Sequence, residues 1–292
     1  MSKQNILITG ANGFIGRALV EKLQENQCNV YGLDCKPLIE SQKGYFKEYY
    51  EQDLTEEFKL ESHFDYVFHL AALNVTHVGK ADYPAYVKAN VLGTENLIKA
   101  VESKKFVFMS TAKVYRQVGG RINEESSIQP QGDYEKSKLE AENIFRHYLT
   151  PEQVTILRPV NIVGPGQADK AILPLLFKNA LTHKPIDIFA SRKSVLQLLY
   201  IDDVVRAFER IVAQLQACGI FNLSSEETIS LENLVSEIMR MTQSQSRVNF
   251  SNLSEVPFSE VVSLKAKKVL GWQAQTSVPE ILQNCYSAYS HS

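Results

Sequence analysis

Apolar residues gather in short blocks that alternate with longer amphipathic runs. Strand-like blocks occupy Asn5 to Thr9, Asn29 to Asp34, Tyr66 to Leu70, Phe106 to Ser110 and Val154 to Leu157. Between them lie helical patterns around Arg17 to Glu25, Pro84 to Glu102 and Tyr134 to Tyr148. Strands rich in Val, Ile, Leu and Phe with helical crossovers predict an α/β fold, a doubly wound parallel sheet covered on both faces. Past Arg158-Pro159 the rhythm changes. Gly164-Pro165-Gly166 opens a loop before a helical run from Ala171 to Leu181 and a predicted strand pair at Ile186 to Phe189 and Leu196 to Ile201. A helix from Asp202 to Leu215 and a strand at Ile220 to Leu223 return to the sheet layer. This predicts a sheet domain of 1–162 and 198–223 and a smaller, discontinuous lobe of 163–197 and 224–292.

Composition narrows the classes of partner. The 292 residues carry 31 Lys plus Arg against 33 Asp plus Glu, a formal charge of −2, so no general attraction for nucleic acid or anionic membrane exists. Cys28, Cys35, Cys218 and Cys285 show no zinc-type spacing, so reduced thiols and no metal site are expected. Met1-Ser2-Lys3-Gln4 leads straight into a core strand, and no run approaches membrane-spanning length, so a soluble, cytoplasmic protein is expected.

The turn after the first strand reads Gly10-Ala11-Asn12-Gly13-Phe14-Ile15-Gly16 and opens a helix. A strand, a glycine-rich turn and a helix N-terminus present bare backbone N–H groups to a diphosphate. The Gly-x-x-Gly-x-x-Gly spacing is one residue longer than the common dinucleotide fingerprint. Asp34 strengthens the reading, since it ends the second strand eighteen residues after Gly16, where an acid can bind a ribose 2′-OH. That carboxylate favours NAD over NADP, a preference Lys36 and Arg17 could soften.

Further on, Tyr134 and Lys138 stand at i and i+4 of one helix and so share a face. Free tyrosine titrates near pH ~10, and an adjacent ammonium is expected to lower that value enough for proton exchange with a substrate hydroxyl. Ser110-Thr111 follows a buried-looking strand at its C-terminal end, where a doubly wound sheet binds its ligands.

With these residues in place, the chain resembles the extended short-chain dehydrogenases/reductases, in the NAD-dependent epimerase/dehydratase branch acting on nucleotide sugars. The match runs through Thr9 to Gly16, Asp53-Leu54, His69-Leu70-Ala71-Ala72, Asn90 to Leu97, Ser110-Thr111, Tyr134-x-x-x-Lys138, Arg158 to Asn161, Gly164 to Gln167, Tyr200 to Val204 and Leu270-Gly271-Trp272. The resemblance implies a Rossmann sheet with NAD held by Gly10, Asn12, Gly13, Phe14, Ile15 and Gly16. Asp34 would meet the adenosine ribose, Asp53 and Leu54 the adenine, and Leu70, Ala71 and Ala72 the nicotinamide side. It further implies Thr111 on the reacting sugar oxygen, Tyr134 as acid/base, Lys138 on the ribose and the phenol, Asn161 on the sugar-nucleotide phosphate, Asn90 as a support, and a homodimer.

Several positions depart from that pattern. Dehydratases of the family carry Asp-Glu after the catalytic threonine, where this chain has Ala112-Lys113, so a sugar 4,6-dehydratase is not expected. The arginine usual before Tyr-Ile-Asp-Asp is Leu196, and a second, expected near Glu255 to Pro257, is absent; Arg192, Lys193 or Lys178 could substitute. Val163 and Arg116 replace a usual tyrosine and glycine. The leading expectation is an epimerase that removes hydride from a carbinol, lets the keto sugar turn and returns hydride to the other face. An NAD(P)H-dependent ketoreductase making a deoxysugar nucleotide and a non-catalytic dinucleotide-binding regulatory module stay open.

Overall fold

Every strand pairing in the main sheet is parallel, and alternate residues of its strands pack on opposite faces of the sheet. Ile6 and Ile8 of the first strand face one side with Leu19, Val20, Phe68 and Phe208, while Leu7 faces the other with Val67, Phe106, Phe108 and Phe145. This period-two division of an almost wholly apolar strand is what burial on both faces requires. The computed structural model describes residues 3–25, 28–74, 81–214, 216–251 and 257–290.

In chain order the first half comprises β1 (Asn5–Thr9), α1 (Phe14–Glu25), β2 (Asn29–Asp34), β3 (Glu48–Glu51), β4 (His63–His69), α2 (Tyr83–Tyr86), a π-helical turn (Val87–Leu92), α3 (Gly93–Ala100), β5 (Glu102–Met109), β6 (Gly120–Ile122) and α4 (Asp133–Tyr148). The second half comprises β7 (Val154–Pro159), β8 (Asn161–Val163), α5 (Ile172–Leu181), β9 (Ile186–Ile188), β10 (Val195–Leu196), β11 (Leu198–Tyr200), α6 (Ile201–Ala213), β12 (Gly219–Leu223), β13 (Ile229–Ser230), α7 (Leu231–Met241), β14 (Val248–Phe250), β15 (Ser259–Val261), α8 (Leu264–Leu270) and α9 (Val278–Tyr289). The sheet order is β3-β2-β1-β4-β5-β7-β12. The order reverses between β1 and β4, so a crevice opens at their C-terminal ends, the place where such sheets bind ligands.

A second core joins Val163, Phe177, Leu198, Leu234 and Ile281, from α5, α7, α9 and the short strands. Ile15, Ala18 and Ile162 pack against both this core and the sheet core. Asp203, fully buried near the start of α6, accepts from Gln275 N at 2.9 Å and Thr276 N at 3.2 Å, and its carbonyl accepts from Trp272 Nε1 at 2.8 Å. The Asp-Asp segment thereby ties the tail to the sheet layer.

Two expectations need correction. The helix predicted from Pro84 to Glu102 stops at Ala100, because Val101 turns extended and Glu102 already pairs with His63 on β4. The segments Ile186 to Phe189 and Leu196 to Ile201 do not pair with each other. Instead β9 pairs with β14, β10 with β13 and β11 with β8; strands this short carry too little pattern to specify partners. β3 went unpredicted because Glu48-Tyr49-Tyr50-Glu51 has no apolar block. Leu215, the predicted end of the sixth helix, lies outside the described residues. Among the described residues no helix is long and apolar enough to cross a membrane, and no three potential metal ligands cluster.

Candidate active site

At the end of β1 the chain turns left-handed at Gly10, φ +69°, whose N–H donates to Leu33 O at 2.8 Å. A Cβ there would lie 2.8 Å from Ala71 N, and one on Gly13 would sit 3.0 Å from Gly10 O. A Cβ on Gly16 would run into Gly10 O and lie 2.8 Å from Ala11 O. The glycines therefore let the turn, the start of α1 and the segment after β4 approach more closely than any side chain allows. Phe14 and Ile15 point away from the turn and pack against the second core.

Beside the turn lies a cavity of about 420 Å³. Gly10, Asn12, Gly13, Asp34, Asp53, Leu54, Leu70, Ala71 and Ala72 all line it, together with Cys35 and Leu73. Asp34 Oδ2 accepts from Asn12 N at 3.0 Å and Oδ1 from Lys36 N at 3.1 Å. Asp53 Oδ1 accepts from Thr55 N at 2.8 Å, a local turn bond. Asn12 Oδ1 is buried without a partner among the described residues. A cradle that a Cβ would fill, an anchored carboxylate at the end of β2 and an orphaned acceptor between them fit a dinucleotide.

Thr111 ends the exit from β5 and caps a single helical turn, Ala112–Val114, its Oγ1 accepting from Lys113 N at 3.2 Å. That turn packs on α4, which carries Tyr134 in its first turn and Lys138 one turn later. Asp133 and Glu135 at the N-terminus, with Arg146 and His147 at the C-terminus, complement the helix dipole. The expected lowering of the Tyr134 pKa is not what this geometry produces. Burial pushes the phenol well above its ordinary value, helped by Glu135 and Tyr86. Lys138 sits over the Phe108 ring, 4.1 Å from its centroid, and burial brings its own pKa down to about 7 despite the nearby Glu142.

Behind these groups run two buried polar chains whose connections the sequence reading missed. In the first, Ala71 N donates to Thr9 Oγ1 at 3.2 Å, Thr9 pairs with His69 Nδ1 at 2.7 Å, His69 Nε2 pairs with Thr94 Oγ1 at 2.9 Å, and Thr94 donates to Asn90 O at 2.6 Å. Because the Thr94 proton is spent on Asn90, His69 must donate from Nε2 and accept at Nδ1. Burial, with the charge of Lys138, drops the His69 pKa to about 3, so the ring stays neutral. Asn90, in the π-helical turn, accepts from Leu73 N at 2.7 Å and donates to Ser137 Oγ at 2.9 Å, which links the cavity wall to the helix of Tyr134 and Lys138. In the second chain, Glu142 takes Ser110 Oγ at 2.6 Å and a two-pronged bond from Arg158 at 2.9 and 2.6 Å, while Arg158 stacks on Tyr115. A hydroxyl-rich strand exit signalled Ser110; nothing local marked Glu142.

The substrate-side residues are more dispersed. Asn161, half-buried on β8, donates to Gln197 O at 3.2 Å. Arg192 is bonded to Glu232 at 3.3 Å and Lys178 to Asp169 at 3.1 Å, so neither is held toward the cavity. Val163 is buried in the second core and Arg116 is exposed. Of the expected arginine segment, Glu255 and Val256 lie outside the described residues.

Known proteins share this sequence pattern and fold. The pattern of the NAD dependent epimerase/dehydratase family matches residues 6–224. A dTDP-D-glucose 4,6-dehydratase of Dictyostelium discoideum is 29% identical over 272 residues, covering 82% of this chain and 62% of its own greater length. The uncharacterized UDP-glucose epimerase YtcB of Bacillus subtilis (strain 168) is 28% identical over 304 residues, 96% of each chain. The structure of MoeE5 in complex with UDP-glucuronic acid and NAD superposes with a TM-score of 0.87 at 26% identity, over 98% of this chain and 99% of that one. With its glycine cradle, Asp34 and Tyr134-Lys138 helix, the chain belongs to the NAD-dependent epimerase/dehydratase family and is an enzyme of the extended short-chain dehydrogenase/reductase type.

Proposed function

We propose that this enzyme epimerises a nucleotide-linked sugar. The observation that carries the reading is the turn after Thr111, where Ala112 is 4% exposed and Lys113 follows it, leaving no acid pair to eliminate water beside the threonine. The names of YtcB and of the UDP-glucuronic acid complex of MoeE5 support a nucleoside-diphosphate sugar.

When bound, NAD supplies the hydride acceptor and donor. Gly10, Asn12, Gly13, Phe14, Ile15 and Gly16 shape its diphosphate site, Asp34 its ribose contact, Asp53 and Leu54 its adenine pocket, and Leu70, Ala71 and Ala72 its nicotinamide wall. Thr111 Oγ1 already accepts from Lys113 N, which leaves its proton to donate to the reacting sugar oxygen. Tyr134 exchanges a proton with that oxygen. Its raised pKa keeps the proton on the phenol at neutral pH. Asn161 faces the phosphate side of the sugar.

The same proposal assigns 1–162 and 198–223 to cofactor binding and 163–197 with 224–292 to substrate. It also includes a homodimer through the π-helical turn, α3 and α4, where Leu92 of the turn is 39% and Tyr148 of α4 40% exposed, and a cytoplasmic enzyme, in keeping with the reduced thiols Cys28, Cys35, Cys218 and Cys285. Mass spectrometry of the purified protein for retained NAD, followed by a nucleotide-sugar panel read by NMR, tests the central reading. An epimer without net change in dinucleotide oxidation state is expected. A dehydrated sugar, or stoichiometric consumption of reduced dinucleotide, overturns it.

A further inference from the structure

Gly32 stands inside β2, where a Cβ would lie 2.7 Å from Phe46 Cε1 and 2.7 Å from Tyr49 Cδ2. The absent side chain lets the Tyr49 ring cover β2 at the register position opposite Gly32. Its hydroxyl then reaches the loop that follows Asp34. There Tyr49 Oη donates to Lys36 O at 2.6 Å and accepts from Asn12 Nδ2 at 2.8 Å. The same carboxamide donates to Pro37 O at 2.9 Å. Asp34 closes the ring from the other side by accepting the N–H groups of Asn12 and Lys36.

We propose that this Tyr49–Asn12 clamp is a second determinant, beside the Asp34 charge, of NAD selection over NADP. A 2′-phosphate is recognised by N–H donors and cations. Here the N–H groups of Asn12 and Lys36 are spent on one carboxylate, and Lys36 has its carbonyl fixed as well, so its backbone cannot turn over to serve a phosphate. Burial, with the charges of Asp34 and Glu51, raises the Tyr49 pKa to about 12, which keeps the phenol protonated and donating. Tyr49 is a positioning residue, acting through Lys36 and Asn12. The inference rests on the reading of Asp34 as the ribose contact.

Calorimetric titration of NAD and of NADP into the dinucleotide-stripped full chain tests it, with melting temperatures recorded in parallel. Wild type is expected to favour NAD. Tyr49→Phe removes the hydroxyl and keeps the ring over Gly32, and should narrow the ratio of the two Kd values by about tenfold. Asn12→Ala should narrow it similarly, and the double variant no further than the larger single effect, because both break one linkage. A Tyr49→Phe protein that melts lower yet keeps the wild-type ratio within about twofold overturns the clamp, as does an unchanged ratio in Asn12→Ala if the tyrosine variant does not fold. Equal wild-type affinities overturn the Asp34 reading itself, before any variant is made.

Discussion

Lys138 Nζ lies 4.1 Å from the centroid of the Phe108 ring, one helical turn beyond Tyr134. A ring face offsets part of the loss of water around an ammonium, on the order of 2 kcal/mol when desolvated. The offset is incomplete, since the Lys138 pKa still falls to about 7. The ammonium proposed to serve ribose and phenol is thus held close to the pH at which it loses its charge.

A pH dependence of stability follows. The folded value of about 7 lies below the ordinary 10.5, so between them the unfolded chain binds more protons and stability rises with pH. The contribution of Lys138 is complete above pH 10.5 and lost as pH falls through 7. Urea melts across that window should show wild type gaining stability relative to Lys138→Met as pH rises. Parallel curves for the two proteins would mean that Lys138 is solvated in the folded state.

Glu142 and Arg158 form a buried pair, with 0% and 2% of their side chains exposed. Removing the carboxylate leaves the buried Arg158 guanidinium uncompensated in a low-dielectric site, so Glu142→Gln should destabilise by about 3–5 kcal/mol, while Arg158→Met should cost less because Glu142 keeps Arg146 at 3.2 Å. The double variant should cost much less than the sum of the two. Denaturant unfolding of the full cycle gives the coupling directly; additive losses would show that the pair is not isolated from water as its burial indicates.

Gly16 offers a cleaner test of the cradle than Gly44. At Gly44, φ is +90° but nothing lies within 4 Å of an added Cβ, so Gly44→Ala meets backbone strain alone, about 1–2 kcal/mol. Gly16→Ala instead drives a methyl into Gly10 O and Ala11 O, and overpacking there should cost about 1–3 kcal/mol and displace the turn. Calorimetry should find NAD affinity sharply reduced in Gly16→Ala and close to wild type in Gly44→Ala. Equal NAD affinity in both variants contradicts the close approach of α1 to the turn.

The parts legible in the sequence are those whose physics is local. The run Ile6-Leu7-Ile8, the glycine turn and Asp34 each announce their place, because strand burial, turn conformation and strand-end position depend on near neighbours. Tyr134 and Lys138 share a helix, so their spacing is likewise visible. What stayed hidden depends on distant partners. Tyr49 belongs to a polar strand that holds its place by pairing with β2, and Glu142 matters through Arg158 on β7. The charge state of Lys138 is set chiefly by burial, which i,i+4 spacing does not reveal. The same omission explains why the phenol was expected to titrate low when the fold pushes it up.

Tyr134 gives the decisive prediction, because its raised pKa makes proton release the demanding half of its task. Tyr134→Phe removes the ionisable oxygen and keeps the ring that meets Tyr86 edge-on, 6.1 Å between centroids. The fold and NAD affinity should therefore change little, while turnover falls by roughly two to four orders of magnitude. Lys138→Met should lose NAD affinity as well as turnover if, as proposed, one ammonium serves both the ribose and the phenol. Single-turnover hydride transfer in folded, cofactor-loaded variants separates these effects from binding. If Tyr134→Phe reacts at the wild-type rate, the proton moves through another group, and Thr111, the other hydroxyl placed on the reacting oxygen, becomes the residue to remove next.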